Sequence, residues 1–542
     1  MENKLTKKYG LFTAICMVVG IVIGSGIFFK AQNVLHATAG DALMGVLAWL
    51  IGGAVMAVFA VTFGVMATKY EKVGGVVDYA EATCGKTYGY FIGWFLAVIY
   101  YPAMTSVISW VCARYTLAAF YGVDSPENFT SAVCMIIAIL YLIVIYFMNA
   151  IAPKLAGKFQ ISTTVIKLIP ICFIAIVGTI IGLVNGTLVN NFNYVASAAG
   201  QIFEGTGDAV GSGNLFTAVC GTVFAYEGWI IATAINAEIK NSKKNLPIAL
   251  GVGAIVIVAA YVLYYLGVIG LAEIGVLGTD GTTAAFSFFG TAVAAIINIL
   301  IVISCLGTLN GIMLGCTRGF YAIAVREEGP AHKAFSQLDK ATNAPYNAAN
   351  FALLVTVLWL AYFTGGQFFG WFGDFAFDSS ELPIVTIYPL YIPILIAFML
   401  KSKDVHPVKR FVLPILSIFG AAVLVTASIV SHKMANVWYL IVFAVIMGIG
   451  ALYYRGKRDK SPIERFGDWC KKIIVSLIEK IKSSIENARL ERERKKAAAA
   501  EIDEEDYPAE TVAFGAVAET DEETAPIESI TEESHSKDTS EE

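Results

Sequence analysis

Twelve apolar stretches, most of them long enough to cross a lipid bilayer, recur along this 542-residue chain. A bilayer core of roughly 30 Å takes about 20 predominantly apolar residues when the segment is helical. Helices satisfy their own backbone polar groups, which lipid cannot do for them. By that rule the spans fall at 9–35, 41–67, 88–120, 130–149, 159–185, 212–239, 247–270, 290–325, 347–364, 371–400, 411–431 and 435–454. No soluble domain fits between them, so the expected fold class is an all-α integral membrane protein with 12 transmembrane helices. Composition agrees, with 57% hydrophobic and only 15% charged residues.

Charge then sets orientation. The N-terminus, the even-numbered connections and the stretch after the last span hold nearly all the loop lysines and arginines, among them Lys7, Lys69, Lys154, Lys243, Arg326, Lys403 and Arg455. The odd-numbered connections offer little beyond Lys30 and Lys433. Both termini are therefore expected in the cytoplasm. Residues 1–8 read as a short cytoplasmic N-terminus with no cleavable signal, and 9–455 as the twelve-helix membrane domain. In 456–496, Phe466, Trp469, Ile473, Leu477, Ile481 and Ile485 recur at helical spacing among lysines. That pattern suits a basic amphipathic helix on an anionic leaflet, or else a cytoplasmic coiled segment. Residues 497–542 read as a disordered acidic tail.

The tail from 501 onward carries 16 acids and one lysine, so the net charge of −5 conceals +10 on the rest of the chain. It identifies no partner, and nucleic acid is not expected. The lipid bilayer is. Nine cysteines are scattered singly, without a CxxC pair or a companion histidine cluster. Neither a disulfide framework nor a metal site is expected, nor any cofactor. The five histidines lie in or near loops or in the tail, and no convergent nucleophile, base or metal motif occurs in the spans, which argues against an enzyme.

Two spans depart from their apolar pattern. Span one contains Gly20-Ile21-Val22-Ile23-Gly24-Ser25-Gly26-Ile27-Phe28. These small residues suit either close helix packing or an unwound segment that frees N–H groups on one side and carbonyls on the other. About 200 residues later, span six carries Phe224-Ala225-Tyr226-Glu227-Gly228-Trp229. Paired interruptions in the first and sixth spans are what a five-plus-five inverted repeat with a midplane binding site produces. A carboxylate would find N–H donors near Gly26 and Ile27, and an ammonium would find carbonyls near Ile21, Ile23 and Phe224. Those are the two charged ends of an amino acid. A phosphate-binding role for the glycines lacks the strand and the Lys-Ser or Lys-Thr that it needs.

The chain resembles the amino acid-polyamine-organocation superfamily, most closely bacterial serine/threonine exchangers and the L-type amino acid transporter group. The carriers of the likeness are Ile23 to Phe28, Lys167-Leu168-Ile169-Pro170 in span five, Phe224 to Trp229 with Glu238 to Asn241 and Asn245-Leu246-Pro247 around span six, and Leu309-Asn310-Gly311 in span eight. The resemblance implies five-plus-five inverted repeats with broken helices 1 and 6, then two extra helices. It implies a substrate site drawn from Ile21, Ile23, Gly24, Ser25, Gly26, Ile27, Phe224, Ala225, Tyr226, Glu227 and Ile312. In it, Ser25 and Gly26 would hold the carboxylate and Phe224 would be the external gate. It also implies that the Lys167 ammonium takes the place of a sodium ion, meeting Gly20, Ile23, Ser304 and Thr308. Without the resemblance, Lys167 could instead snorkel along the helix face to the interface.

Glu227 has three readings: contact with a polar substrate group, carriage of a coupling proton, or bonding to backbone freed by the break. Asp374, Asp378 and Glu381 fit either an external vestibule or a solvated loop. The loop Tyr121–Thr130 has no cysteine, so no disulfide-linked heavy subunit is expected. The expected function is a secondary active amino acid transporter working by alternating access in the plasma membrane, by the resemblance a bacterial inner membrane. It would be a sodium-independent exchanger or proton-coupled permease for neutral amino acids, serine, threonine and alanine or the large neutral ones. An antiporter of an amino acid and its amine or acidic relative is the alternative, and a receptor or scaffold acting through the acidic tail is the remote one.

Overall fold

The computed structural model describes residues 9–70, 75–121, 128, 130–193, 213–234, 239–280, 284–456 and 458–505, with the side chains of Ser25, Phe29, Pro153, Ala232, Ala234, 278–280, Ala284 and 498–505 outside that description. Among the described residues the regular structure is helical, joined by one isolated bridge between Tyr9 and Ile239. Two compact units divide the chain, Met1–Phe466 and Gly467–Glu542.

Among the described residues of the first unit, eleven helices are long and apolar enough to cross a membrane. They include Ala42–Lys69 for span two, Lys86–Tyr121 for span three, Lys154–Val184 for span five, Ser242–Leu271 for span seven and Thr291–Ala324 for span eight. Span one is two helices, Leu11–Val22 and Ser25–Ala37, meeting at an extended Ile23 and a non-helical Gly24. Span six is a 12-residue helix, Leu215–Tyr226, followed across 227–230 by the short Ile231–Ala234. Both interruptions are therefore real breaks in the helical backbone.

Helix starts follow local chemistry. Asp41 accepts from the Met44 N–H at 2.8 Å, Ser131 from Cys134 at 3.2 Å, and Asn214 from Phe216 and Thr217, each capping the donors that a first turn leaves over. Span ten begins later than expected. Residues 371–381 form a 3-10 turn and loop, and the helix is Leu382–Lys401. Gly370 and Gly373 take φ of 62° and 50°, which ends helical continuation despite the aromatic run around them.

Burial sorts the helices into a centre and a lipid-facing ring. The most apolar window of span three is 89% buried and that of span twelve, Met434–Tyr453, only 11%. Span four shows the ring pattern: Ile136, Leu140, Val144 and Phe147 face outward while Cys134, Ala138, Leu142 and Ile145 are buried. With water absent from the bilayer core, exposed apolar side chains there are matched to their solvent. Span seven packs between span two and the first half of span one, Leu11–Val22, and span eight packs along span three. The two broken spans thus sit inside the bundle.

At the end of the bundle where span one begins, Arg326 after span eight pairs with Asp78 and, at 2.9 Å, with Glu81. The helix Pro462–Glu505 starts in the first unit, and its residues in the second expose Trp469, Leu477, Ile481 and Ile485. Glu238 and residues 506–542 lie outside the described residues.

Candidate functional site

The two breaks face each other. Gly26 lies so close to the main chain of Ala225 that a methyl group at position 26 would overlap Ala225 Cα. Gly228, at φ 101°, turns the chain out of the first half of span six with its bare face against Ile21. Tyr261 of span seven ties the breaks together: its hydroxyl lies 2.8 Å from Val22 O and 2.9 Å from Ala225 O, donating to these carbonyls by turns. Those carbonyls are left over at the ends of the two half-helices, where no following turn can use them.

The second half of span one starts at Ser25 with Gly24 as its N-cap and no side-chain cap hydrogen bond, unlike spans two, four and six. The N–H groups of Gly26 and Ile27 therefore lie as donors beside the positive end of the helix dipole. Around this point Ile21, Ile23, Gly24, Gly26, Ile27, Phe224, Ala225 and Tyr226 are all buried. The Tyr226 hydroxyl bonds to Trp49 O at 2.7 Å, so it braces span two rather than opening to a ligand. Ile312 is buried on span eight, one turn beyond Thr308. The Ser25 side chain lies outside the described residues.

Lys167 is fully buried on span five. Its Nζ donates to Gly20 O at 2.6 Å, to Ile23 O at 2.5 Å and to Thr308 Oγ1 at 3.2 Å. Three ammonium donors meet three acceptors, and the arrangement is not a snorkelling one. Ser304 is the exception among the four expected partners, since the lysine has no donor left for it. Among the described residues the Ser304 hydroxyl has no hydrogen-bond partner, and only its carbonyl is used, by Thr308 at 3.4 Å.

Glu227 is buried at the C-terminal end of the first half of span six, and its two oxygens accept from Tyr100 at 2.5 Å and Tyr388 at 2.9 Å. Those hydroxyls come from span three and span ten, a pairing that none of the three sequence readings contained. Tyr100 falls in a π-helical turn, Leu96–Tyr100, whose extra residue rotates the helix face. Tyr388 packs edge-on against Phe59 with ring centres 4.8 Å apart, which fixes its direction.

Access differs between the two ends of the bundle. A cavity of about 1010 Å³, open solvent at its mouth included, runs from the end where span one begins toward Tyr101, next to Tyr100. Asn149, Thr317 and Arg318 line it. At the other end Phe224 is 3% exposed and the Lys30 ammonium sits 5.4 Å from its ring centre. Lys30 is no loop residue: it is 1% exposed and pairs with Glu381 at 2.5 Å and Ser380 at 3.2 Å. Glu381 therefore belongs to a buried closure rather than to a solvated loop.

Comparison with known proteins matches residues 9–452 to a family model described as amino acid permease. The chain is 29% identical over 473 residues to the serine/threonine exchanger SteT of Bacillus subtilis (strain 168), covering 85% of this chain and 99% of that protein. It is 26% identical over 459 residues to b(0,+)-type amino acid transporter 1 of Mus musculus, covering 83% and 88%. Over 328 residues it is 26% identical to the cystine/glutamate transporter of Homo sapiens, covering 60% and 62%.

Proposed function

We propose that this chain, which belongs to the amino acid permease family, is a sodium-independent exchanger of neutral amino acids that binds its substrate at the two facing helix breaks. As a multi-pass membrane protein of a family of amino acid carriers, it needs a site that reads groups common to its substrates. The observation that carries the reading is the apposition of the breaks across Gly26 and Ala225, held by Tyr261. A substrate carboxylate takes the uncapped N–H groups at the start of the outer half of span one. The ammonium takes carbonyls at the ends of the opposing half-helices. Phe224 closes over the site from outside, and the breaks occupy equivalent places in two inverted five-helix repeats.

Sodium independence follows from Lys167. A cation is already present at the carbonyls of Gly20 and Ile23 and the hydroxyl of Thr308, and charge repulsion leaves no favourable place there for a metal ion. Alternating access then consists of the two breaks rocking between the open cavity at one end and an opening at the other. The end bearing the cavity is the cytoplasmic one, by the distribution of loop lysines and arginines. The apolar wall made by Ile21, Ile23 and Ile27, with the Glu227 carboxylate occupied by two tyrosines, favours a neutral substrate side chain over a cationic one.

The test is counterflow in liposomes without sodium. External labelled serine, threonine, alanine or a large neutral amino acid accumulates when the same unlabelled amino acid is inside, and the rate is unchanged by added sodium. Absence of counterflow with all of these contradicts the assignment.

A further inference from the structure

Beyond the substrate site, at the end of the bundle opposite the cavity, side chains from span six, from the residue before span ten and from the end of span eleven converge on one point. Cys220 Sγ lies 3.5 Å from Glu381 Oε2 and 3.7 Å from His432 Nε2, and His432 Nε2 lies 3.0 Å from Glu381 Oε2. Tetrahedral zinc holds sulfur at about 2.3 Å and nitrogen or oxygen at about 2.0–2.1 Å, which separates its ligand atoms by about 3.3–3.6 Å. The observed triangle has those dimensions within a few tenths of an ångström. Its donor set of thiolate, imidazole and carboxylate suits zinc, and excludes calcium and magnesium, which take oxygen alone.

The surroundings also suit a dication. Lys30 bonds to Oε1 of Glu381, leaving Oε2 to face Cys220 and His432, so the lysine orients the ligand from behind. Asp378 is near enough to act electrostatically on Lys30, Cys220 and His432. With Cys220 deprotonated, the three negative groups balance Lys30 and one dication. Cys220 and Glu381 are buried, while the His432 side chain is 14% exposed and gives the entry side.

We propose that Cys220, Glu381 and His432 form a zinc-binding site that holds the outer closure shut and so slows transport. Cys220 is one turn before Phe224 on the first half of span six, Glu381 immediately precedes span ten, and His432 ends span eleven. A metal bridging them ties the half-helix that must move to two spans outside the breaks. Its fourth position stays open to water, as three protein ligands imply. Metal binding itself does not depend on the proposed substrate, whereas the slowing of transport rests on that reading.

The experiment uses the untagged full chain. Cobalt(II) is added to the purified protein, and thiolate-to-cobalt absorption and zinc binding by calorimetry are recorded for the wild type, Cys220→Ser and His432→Gln. One zinc per chain is expected, with a thiolate band that Cys220→Ser abolishes and a loss of zinc affinity of at least about tenfold in His432→Gln. Absence of the band, or zinc binding unchanged in both variants while thermal unfolding shows them folded, overturns the site. Saturating external zinc is also expected to slow counterflow at least tenfold in the wild type and not in Cys220→Ser, with recovery on chelation. Stoichiometric zinc that leaves counterflow at full rate overturns the closure. A chain that binds zinc yet exchanges no amino acid at all fails the proposed function and not the metal site.

Discussion

Replacing Lys167 with alanine withdraws three donors from acceptors that water cannot reach. The two main-chain bonds, 2.6 Å to Gly20 O and 2.5 Å to Ile23 O, are charge-assisted. Such bonds contribute about 1.5–3 kcal/mol each, so together they hold the inner half of span one against span five by about 3–6 kcal/mol. The Thr308 bond is longer at 3.2 Å and adds less. Part of the loss is offset, because burying an ammonium is itself costly and its removal relieves that. Taking about 3 kcal/mol as the net change in the position of the inner half-helix, the transport-competent arrangement becomes roughly 100-fold rarer. We expect Lys167→Ala, still folded by thermal unfolding in detergent, to slow counterflow about 100-fold. Lys167→Met, which keeps the apolar stem, should slow it comparably, because the donors rather than the volume are what matter. Counterflow at the wild-type rate in a folded Lys167→Ala protein would mean that the lysine's bonds do not hold the transport-competent arrangement.

Three further perturbations bear on the breaks themselves. Tyr261→Phe leaves Val22 O and Ala225 O without their shared donor; a thermal shift corresponding to about 1–3 kcal/mol is expected, and an unchanged unfolding temperature would show that the bridge does not stabilise the breaks. Gly26→Ala drives a methyl into Ala225; overpacking of about 1–3 kcal/mol should lower the unfolding temperature and abolish measurable counterflow, and normal activity would mean the breaks can separate freely. Glu227→Gln keeps one acceptor for Tyr100 or Tyr388 and loses the other; a slowing of roughly fivefold is expected for about 1 kcal/mol, with stopped counterflow pointing instead to a role for the charge.

Much of the fold is legible in the sequence because lipid imposes a simple rule on length and composition, and spans two, seven and eight begin and end close to where hydropathy places them. Span ten defeats that rule at its start. Trp371, Phe372 and Phe375 are apolar enough to pass for a membrane helix, and only the backbone angles at Gly370 and Gly373 reveal the loop. The breaks at Gly24 and Glu227 are legible from their glycines and the buried acid, since such residues are poor choices within a continuous helix.

What closes around the breaks is not legible in the same way. Tyr261 is one of several aromatic residues on span seven, and nothing beside it in sequence marks it as the one that reaches both carbonyls. Tyr100 is brought to Glu227 by a π turn that has no strong local signature. Lys30 and Glu381 pair across 351 residues, and each alone looks like an interfacial charge. Ser304 shows the opposite failure: a four-residue spacing places it on the correct face of span eight with Thr308, but helix geometry does not count the donors remaining on Lys167. Cys220, Glu381 and His432 come from separate spans, so the spacing rules that identify metal motifs have nothing to act on.

In the proposed mode of binding, the facing breaks recognise the two charged ends of an amino acid. Competition against counterflow in sodium-free liposomes tests it most directly, using one transported amino acid with its methyl ester, its N-acetyl derivative and its decarboxylated amine. Unlabelled amino acid should compete fully, while all three derivatives, each lacking one charged end, compete at least about 100-fold more weakly, as the loss of about 3 kcal/mol of charge-assisted bonding requires. Equal competition by the ester or the N-acetyl derivative would mean that the breaks do not read both charged ends.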